Sequence, residues 1–209
     1  MKKKIMIPQS SVELKNKVKD SIFWGNIKYV KTIEEAERFK TFIKEKYHDA
    51  THNVSAYFLN NKIKKNLEYY DDDGEPAKSA GPPILESIKG MGLVNTIIVV
   101  TRYFGGTQLG IGGLIRAYGG TARMTINKAG IKELKLYFYV KTSGNYNNIG
   151  TILGQIESFS GEIKKTTYRD EGVDVFYYIK PEVHNLLKGK LIEKTGNKVS
   201  VSTLKKIYI

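Results

Sequence analysis

The sequence predicts an α+β protein built as two domains. Three observations carry this expectation. Apolar residues alternate with period two in some segments and recur at helical spacing in others. Residues 96–103 (TIIVVTRY) form an apolar, β-branched run, the pattern of a strand buried on both faces. From residue 134 onward the segments follow one another as strand, helix, strand, strand, helix, strand, which is the ferredoxin-like split βαβ arrangement.

In the first domain, residues 1–133, the opening twenty residues are polar and Lys-rich and read as a short strand or arm. Residues 21–30 (SIFWGNIKYV) alternate and read as a strand. Thr32 then stands before Ile33-Glu34-Glu35, an N-cap with Glu at the third helical position. Ala36, Phe39, Ile43 and Tyr47 continue at helical spacing, so the helix should run to Tyr47. Residues 53–60 (NVSAYFLN) predict a strand, with a turn at Asn60-Asn61. The acidic segment after Tyr70 cannot be a central strand, given its charges and Pro76. Pro82-Pro83 opens a helix over residues 84–89, because Pro suits the first helical turn, and Gly90 and Gly92 end it. After the strand at 96–103, a glycine-rich loop at 105–112 leads into a helix over 113–128, closed by Gly130.

In the second domain, residues 134–209, strands are expected at 134–142, 161–169, 173–179 and 198–208, and helices at 146–159 and 181–195. Asp170-Glu171-Gly172 carries the residues of a hairpin with a glycine bulge.

Composition narrows the function. The chain has 34 Lys and Arg against 21 Asp and Glu, a net charge of +13. That excess attracts nucleic acid or a ribosome, or it reflects lysine used as the default surface residue. The absence of cysteine excludes disulfides and cysteine nucleophiles and fits a reducing cytoplasm. No apolar run reaches the roughly 18 residues of a membrane helix, so no membrane partner is expected. The start, MKKKIMIPQSSVELK, lacks the apolar stretch of a signal peptide.

The chemistry concentrates in residues 71–123. Gly105, Gly106, Gly110, Gly112 and Gly113 lie between a buried strand and a helix, where backbone N–H groups and the helix N-terminus form an anion site. The loop is neither a Walker A motif nor a dinucleotide fingerprint. Glycine needed only for tight packing is the competing explanation. On the following helix Arg116, Gly120 and Arg123 fall on one stripe. With Arg102 and Lys78 they make a candidate nucleic-acid or anion surface. Alternatively, the arginines bond the carboxylates of Asp71 to Asp73 and Glu75. Gly119 and Gly120 each cost roughly 1 kcal/mol in a helix, which suggests close approach of a neighbouring element or a ligand.

Asp72, Asp73 and Glu75 could hold Mg²⁺ or cap and pair within a turn; the segment lacks the EF-hand pattern. His48 and His52 have the spacing of a zinc pair only on one helix, and they sit at a helix-to-strand junction. His52 and Asn53 read better as a site wall or a hydrogen-bonded corner. No metal and no cofactor are expected. No Ser-His-Asp arrangement or nucleophile elbow is present, so no catalytic residue is assigned. Aromatic neighbours such as Tyr103-Phe104 and Tyr69-Tyr70 could stack single-stranded bases or belong to the core.

These motifs together resemble the YigZ/IMPACT family. The resemblance rests on Ala50-Thr51-His52-Asn53, on Asp72-Asp73-Gly74-Glu75-Pro76, and on Ala80-Gly81 with Pro83-Ile84-Leu85. It continues through Val99-Val100-Thr101-Arg102-Tyr103-Phe104-Gly105-Gly106, then Leu109-Gly110, Gly112-Gly113-Leu114 and Arg116-Ala117-Tyr118, and covers about residues 15 to 130. The chain departs from the family at Lys78-Ser79-Ala80-Gly81, where Gly-Thr-Ala-Gly is usual, and at Ser21-Ile22-Phe23, which lacks a basic residue. The resemblance implies a first domain like domain 2 of a small-subunit ribosomal protein, an α/β sandwich, followed by a ferredoxin-like domain as in elongation factor G. The same fold recurs in small-molecule kinases. Eukaryotic members are associated with control of translation under amino-acid starvation.

Three functions therefore compete. The first is a non-enzymatic module that binds RNA or a ribosome. A regulator that binds a protein partner, competing for a kinase activator, is the second. The third is a phosphate-dependent enzyme using the 105–113 loop with Asp72, Asp73 or Glu75.

Overall fold

A computed structural model describes residues 4–60 and 66–209. The chain divides into two compact units, Met1–Glu133 and Leu134–Ile209. Asn61 of the expected Asn60-Asn61 turn lies outside the described residues.

The first unit runs β1 (Ile5–Pro8), β2 (Val12–Val18), β3 (Ser21–Tyr29), α1 (Ile33–Lys46), β4 (His52–Leu59), β5 (Leu67–Asp71), α2 (Gly81–Gly90), β6 (Thr96–Tyr103), α3 (Gly110–Ala129) and β7 (Ile131–Leu134). Five strands form a sheet in the order β2-β3-β6-β4-β5, and β1 pairs separately with β7. Each pairing in the five-stranded sheet is antiparallel. Strand β6 is central, and its side chains alternate between two cores. Ile98 and Val100 pack with Ile84, Ile88, Tyr118 and Ala122 of α2 and α3. Ile97 and Val99 pack with Ala36 and Ile43 of α1. Helices on both faces explain why an antiparallel strand reads as an unbroken apolar run.

Not every strand was visible in the sequence. The opening segment, read as one short strand or arm, holds both β1 and β2, β5 precedes the acidic turn, and β7 precedes the strand expected from residue 134. Both β2 and β5 are edge strands, where polar and charged residues are tolerated and blur the alternation. Helix α1 begins as its cap predicts: the Glu35 N–H donates to Thr32 Oγ1 at 3.2 Å, and Lys31 N–H donates to Glu35 Oε2 at 2.6 Å. Helix α3 starts at Gly110, so Gly110, Gly112 and Gly113 belong to its first turn instead of the loop.

The second unit runs β8 (Leu136–Gly144), a 3-10 turn (Tyr146–Asn148), α4 (Ile149–Ser158), β9 (Glu162–Arg169), β10 (Gly172–Ile179), α5 (Pro181–Lys194) and β11 (Val199–Tyr208). The sheet order β11-β8-β10-β9 is ferredoxin-like. Ile152 and Ile156 of α4 and Leu187 and Leu191 of α5 bury Val140, Val173, Val175, Tyr177 and Ile179. The β9–β10 hairpin differs from its expectation. Gly172 sits in the ladder opposite Arg169, and the register irregularity falls between Phe176 and Tyr177. Gly172 is required because a Cβ there would lie 2.4 Å from the Gly144 carbonyl oxygen.

Candidate functional site

Two concavities flank the start and the body of α3. The first follows from strand register. Strand β4 pairs with β6 so that His52 stands opposite Arg102. The acidic turn after β5 folds over this pair, and its carboxylates are used internally. Asp72 accepts the N–H groups of Lys78 (2.7 Å), Ala80 (3.1 Å) and Gly81 (2.7 Å), which caps the start of α2. Asp73 Oδ2 accepts the Asn53 N–H at 2.7 Å, and Asp73 Oδ1 pairs with Lys44 at 3.2 Å. Asn53 spans the corner, donating to the Tyr47 carbonyl and accepting from Thr101 Oγ1.

Glu75 is the centre of a buried network. Its Oε1 accepts Arg102 Nη1 and the Tyr118 hydroxyl, each at 2.7 Å. Burial, then the bond to Glu75, pushes the Tyr118 phenol far above its usual range. His52 Nδ1 donates to the Asp73 carbonyl at 2.7 Å, which leaves Nε2 directed at Glu75 Oε1, 3.9 Å away. Thr51, His52, Glu75, Arg102, Phe104 and Leu109 line a cavity of about 430 Å³. Arg102 is thus turned inward, stacked near Phe23 and Phe104, rather than set along a basic surface.

Packing constrains the loop before α3 at Gly105. A Cβ on Gly105 would lie 1.9 Å from the Asp20 carbonyl oxygen, and Thr107 Oγ1 donates to Asp20 Oδ2 at 2.5 Å. Gly106 (φ 92°) and Gly110 (φ 70°) adopt the left-handed backbone that side chains disfavour. A Cβ on Gly112 would meet only the tip of Arg116, with Nη1 3.4 Å away.

The second concavity is a groove of about 650 Å³ between α2 and α3. Lys78, Pro82, Pro83, Arg116, Gly119 and Arg123 line it. Both arginines lie back along α3, the direction helical side chains take. Arg123 Nη1 would lie 3.3 Å from a Cβ on Gly119, and Pro83 approaches the same point to 3.5 Å. A Cβ on Gly119 would thus touch α2 only at ordinary contact distance, and the space beside Gly120 is open. Lys78, Arg116 and Arg123 are exposed. Among the described residues neither arginine forms an ion pair, so the acidic turn is not their partner. Glu86, also on the groove, pairs with Lys89 at 3.3 Å. Sequence reasoning gave no role to Tyr118 or Asp20. Only Tyr118 left a signal, an aromatic residue at an inward helical position between the two arginines.

The Impact N-terminal domain matches residues 19–126 of this chain. The IMPACT family member YvyE of Bacillus subtilis is 35% identical over 192 residues, covering 92% of this chain and 87% of that protein. The IMPACT family member YigZ of Escherichia coli is 32% identical over 123 residues, 59% of this chain and 60% of its own. A crystal structure of a hypothetical protein aligns over 98% of this chain and 99% of its own, with TM-score 0.66 and 23% identity, a likeness of fold alone. With its N-terminal domain matched along residues 19–126 and a relative alike over nearly the full length, the chain belongs to the IMPACT family.

Proposed function

We propose that this chain is a non-enzymatic, translation-associated binding protein of the cytoplasm whose first unit holds RNA, free or within the ribosome, in the groove between α2 and α3. The observation that supports this reading most is the pair of exposed guanidinium groups at Arg116 and Arg123, on one helical face two turns apart and free of carboxylate partners among the described residues. Arginine without an internal partner is suited to bidentate contact with phosphate. Lys78 adds a third cation across the groove, and the net charge of +13 favours encounter with a polyanion. Membership of a family whose eukaryotic members are associated with translational control supports the same direction. The carboxylates that an enzyme would need, Asp72, Asp73 and Glu75, are instead engaged in capping and pairing.

A second reading rests on Ile111, Ile115 and Met124, which are exposed on the same helix and would suit a protein partner. Titration of a labelled single-stranded RNA at several salt concentrations tests the first reading. Arg116→Ala/Arg123→Ala should weaken binding and flatten the salt dependence by about 1.4 in logarithmic slope, the value for two lost phosphate contacts on a single strand. Unchanged RNA affinity in a correctly folded variant would remove the groove as an RNA site and leave that surface to a protein partner.

A further inference from the structure

We propose that the open face of the sheet in the second unit is a separate binding site for single-stranded RNA, with Tyr139, Phe176 and Tyr178 as its stacking platform. An antiparallel sheet covered by helices on one face normally turns polar residues to water on the other. Here the two central strands turn three aromatic rings that way. Tyr178 stands directly opposite Tyr139 across β10 and β8, and Phe176 stands opposite Lys141. Tyr139 lies 5.2 Å from Tyr178 and 6.1 Å from Phe176, the latter nearly parallel at 28°. The helices α4 and α5 pack on the opposite face, through Val173, Val175 and Tyr177, so they do not cover these rings. All three rings are half-buried and retain exposed surface.

Each ring also carries a cation. Lys141 Nζ lies 6.0 Å from Phe176, Lys164 Nζ 5.0 Å from Tyr178, and Lys205 Nζ 5.5 Å from Tyr139. Two of these cations have acidic partners, Lys141 with Asp174 and Lys164 with Glu162. Lys205 has none among the described residues. A base stacked on an aromatic ring is held more strongly than an exposed ammonium over the same ring. A base can therefore displace the flexible lysine, which then reaches the adjoining phosphate. Rings for bases with cations beside them for phosphates are the two elements of single-strand recognition, and sheets of this kind use aromatic residues to stack two or three bases. Ser200 and Ser202, exposed on β11 opposite Ser143 and Lys141, offer hydroxyls to the ribose 2′-OH, which favours RNA over DNA.

The site lies on the second unit and does not depend on the α2–α3 groove. Photocrosslinking of the full chain to a 4-thiouridine-labelled single-stranded RNA, with the adducts mapped by mass spectrometry, tests it. Adducts on β8 and β10 are expected, and they should persist in Arg116→Ala/Arg123→Ala. Tyr139→Leu/Phe176→Leu/Tyr178→Leu should lower RNA affinity by about tenfold for each base that loses its stack. Tyr178→Leu alone serves as the milder variant if the triple change unfolds the unit. Adducts confined to the first unit would overturn the proposal while leaving the groove intact. Equal affinity for DNA of the same sequence, or undiminished RNA affinity in the folded leucine variants, would also overturn it and would leave this face to a protein partner.

Discussion

Arg102 and Glu75 form a buried ion pair: Nη1 and Oε1 are 2.7 Å apart, and the two side chains are 7% and 3% exposed. The pair joins β6 to the acidic turn, and the Tyr118 hydroxyl joins α3 to both. Removing either partner leaves a charge without compensation in a place water hardly reaches. Arg102→Ala or Glu75→Ala should therefore destabilise the first unit by about 3–5 kcal/mol. Urea denaturation measures this, and a loss below about 1 kcal/mol, the range of surface pairs, would show that the pair is solvated.

Asp72 accepts three backbone N–H groups at the entrance to α2. Asp72→Ala strands those donors, and the expected loss is about 1–2 kcal/mol. Asp72→Asn keeps an acceptor oxygen and should recover part of it. Thermal unfolding of the two variants, compared with the parent, gives the ordering.

Gly105 is held against the Asp20 carbonyl. Gly105→Ala forces the β2–β3 turn and the loop apart, at an expected cost of about 1–3 kcal/mol or more. Gly120→Ala, where space is open, should be neutral or stabilising by about 1 kcal/mol, because alanine is the better helix former. Equal effects at the two positions in chemical denaturation would refute this distinction.

Arg116 and Arg123 are exposed and make no ion pair among the described residues. Replacing both with Ala should change stability by no more than about 0.5 kcal/mol per site, the usual range for surface substitutions. Melting temperature recorded on the variant used for RNA titration checks this. A large drop would mean that the side chains act in the fold, not in binding.

His184 gives the second unit a dependence on pH. It is buried beside Phe138, and its Nε2 meets Thr203 Oγ1 at 3.0 Å. Burial, reinforced by Lys188, holds its pKa below the ordinary 6.5. The unfolded chain therefore takes up this proton first as pH falls. The contribution is intact above about pH 6.5 and is lost as pH falls toward and through the folded value. Urea unfolding at about pH 7.5 and 5.5 should show a larger acid loss in the parent than in His184→Gln, which lacks the titrating group.

What the sequence by itself determined is local. The helical period and the Thr32 cap locate α1, and the apolar run of residues 96–103 locates β6. The order of elements after residue 134 predicts the ferredoxin-like sheet, since short connections leave few other ways to bury those faces. Edge strands β2 and β5 escaped because one side of an edge faces water and its sequence need not alternate. What only the tertiary structure decided is who meets whom. Glu75 could have paired with Arg116 or Arg123, which belong to the same motif region and carry the opposite charge. Antiparallel pairing of β4 with β6 instead sets Arg102 opposite His52, beneath the acidic turn, and Glu75 takes Arg102. The helical arginines are left at the surface and three central-strand aromatics on an open face, because partners separated by many residues are chosen by sheet register, a property no local window of sequence contains.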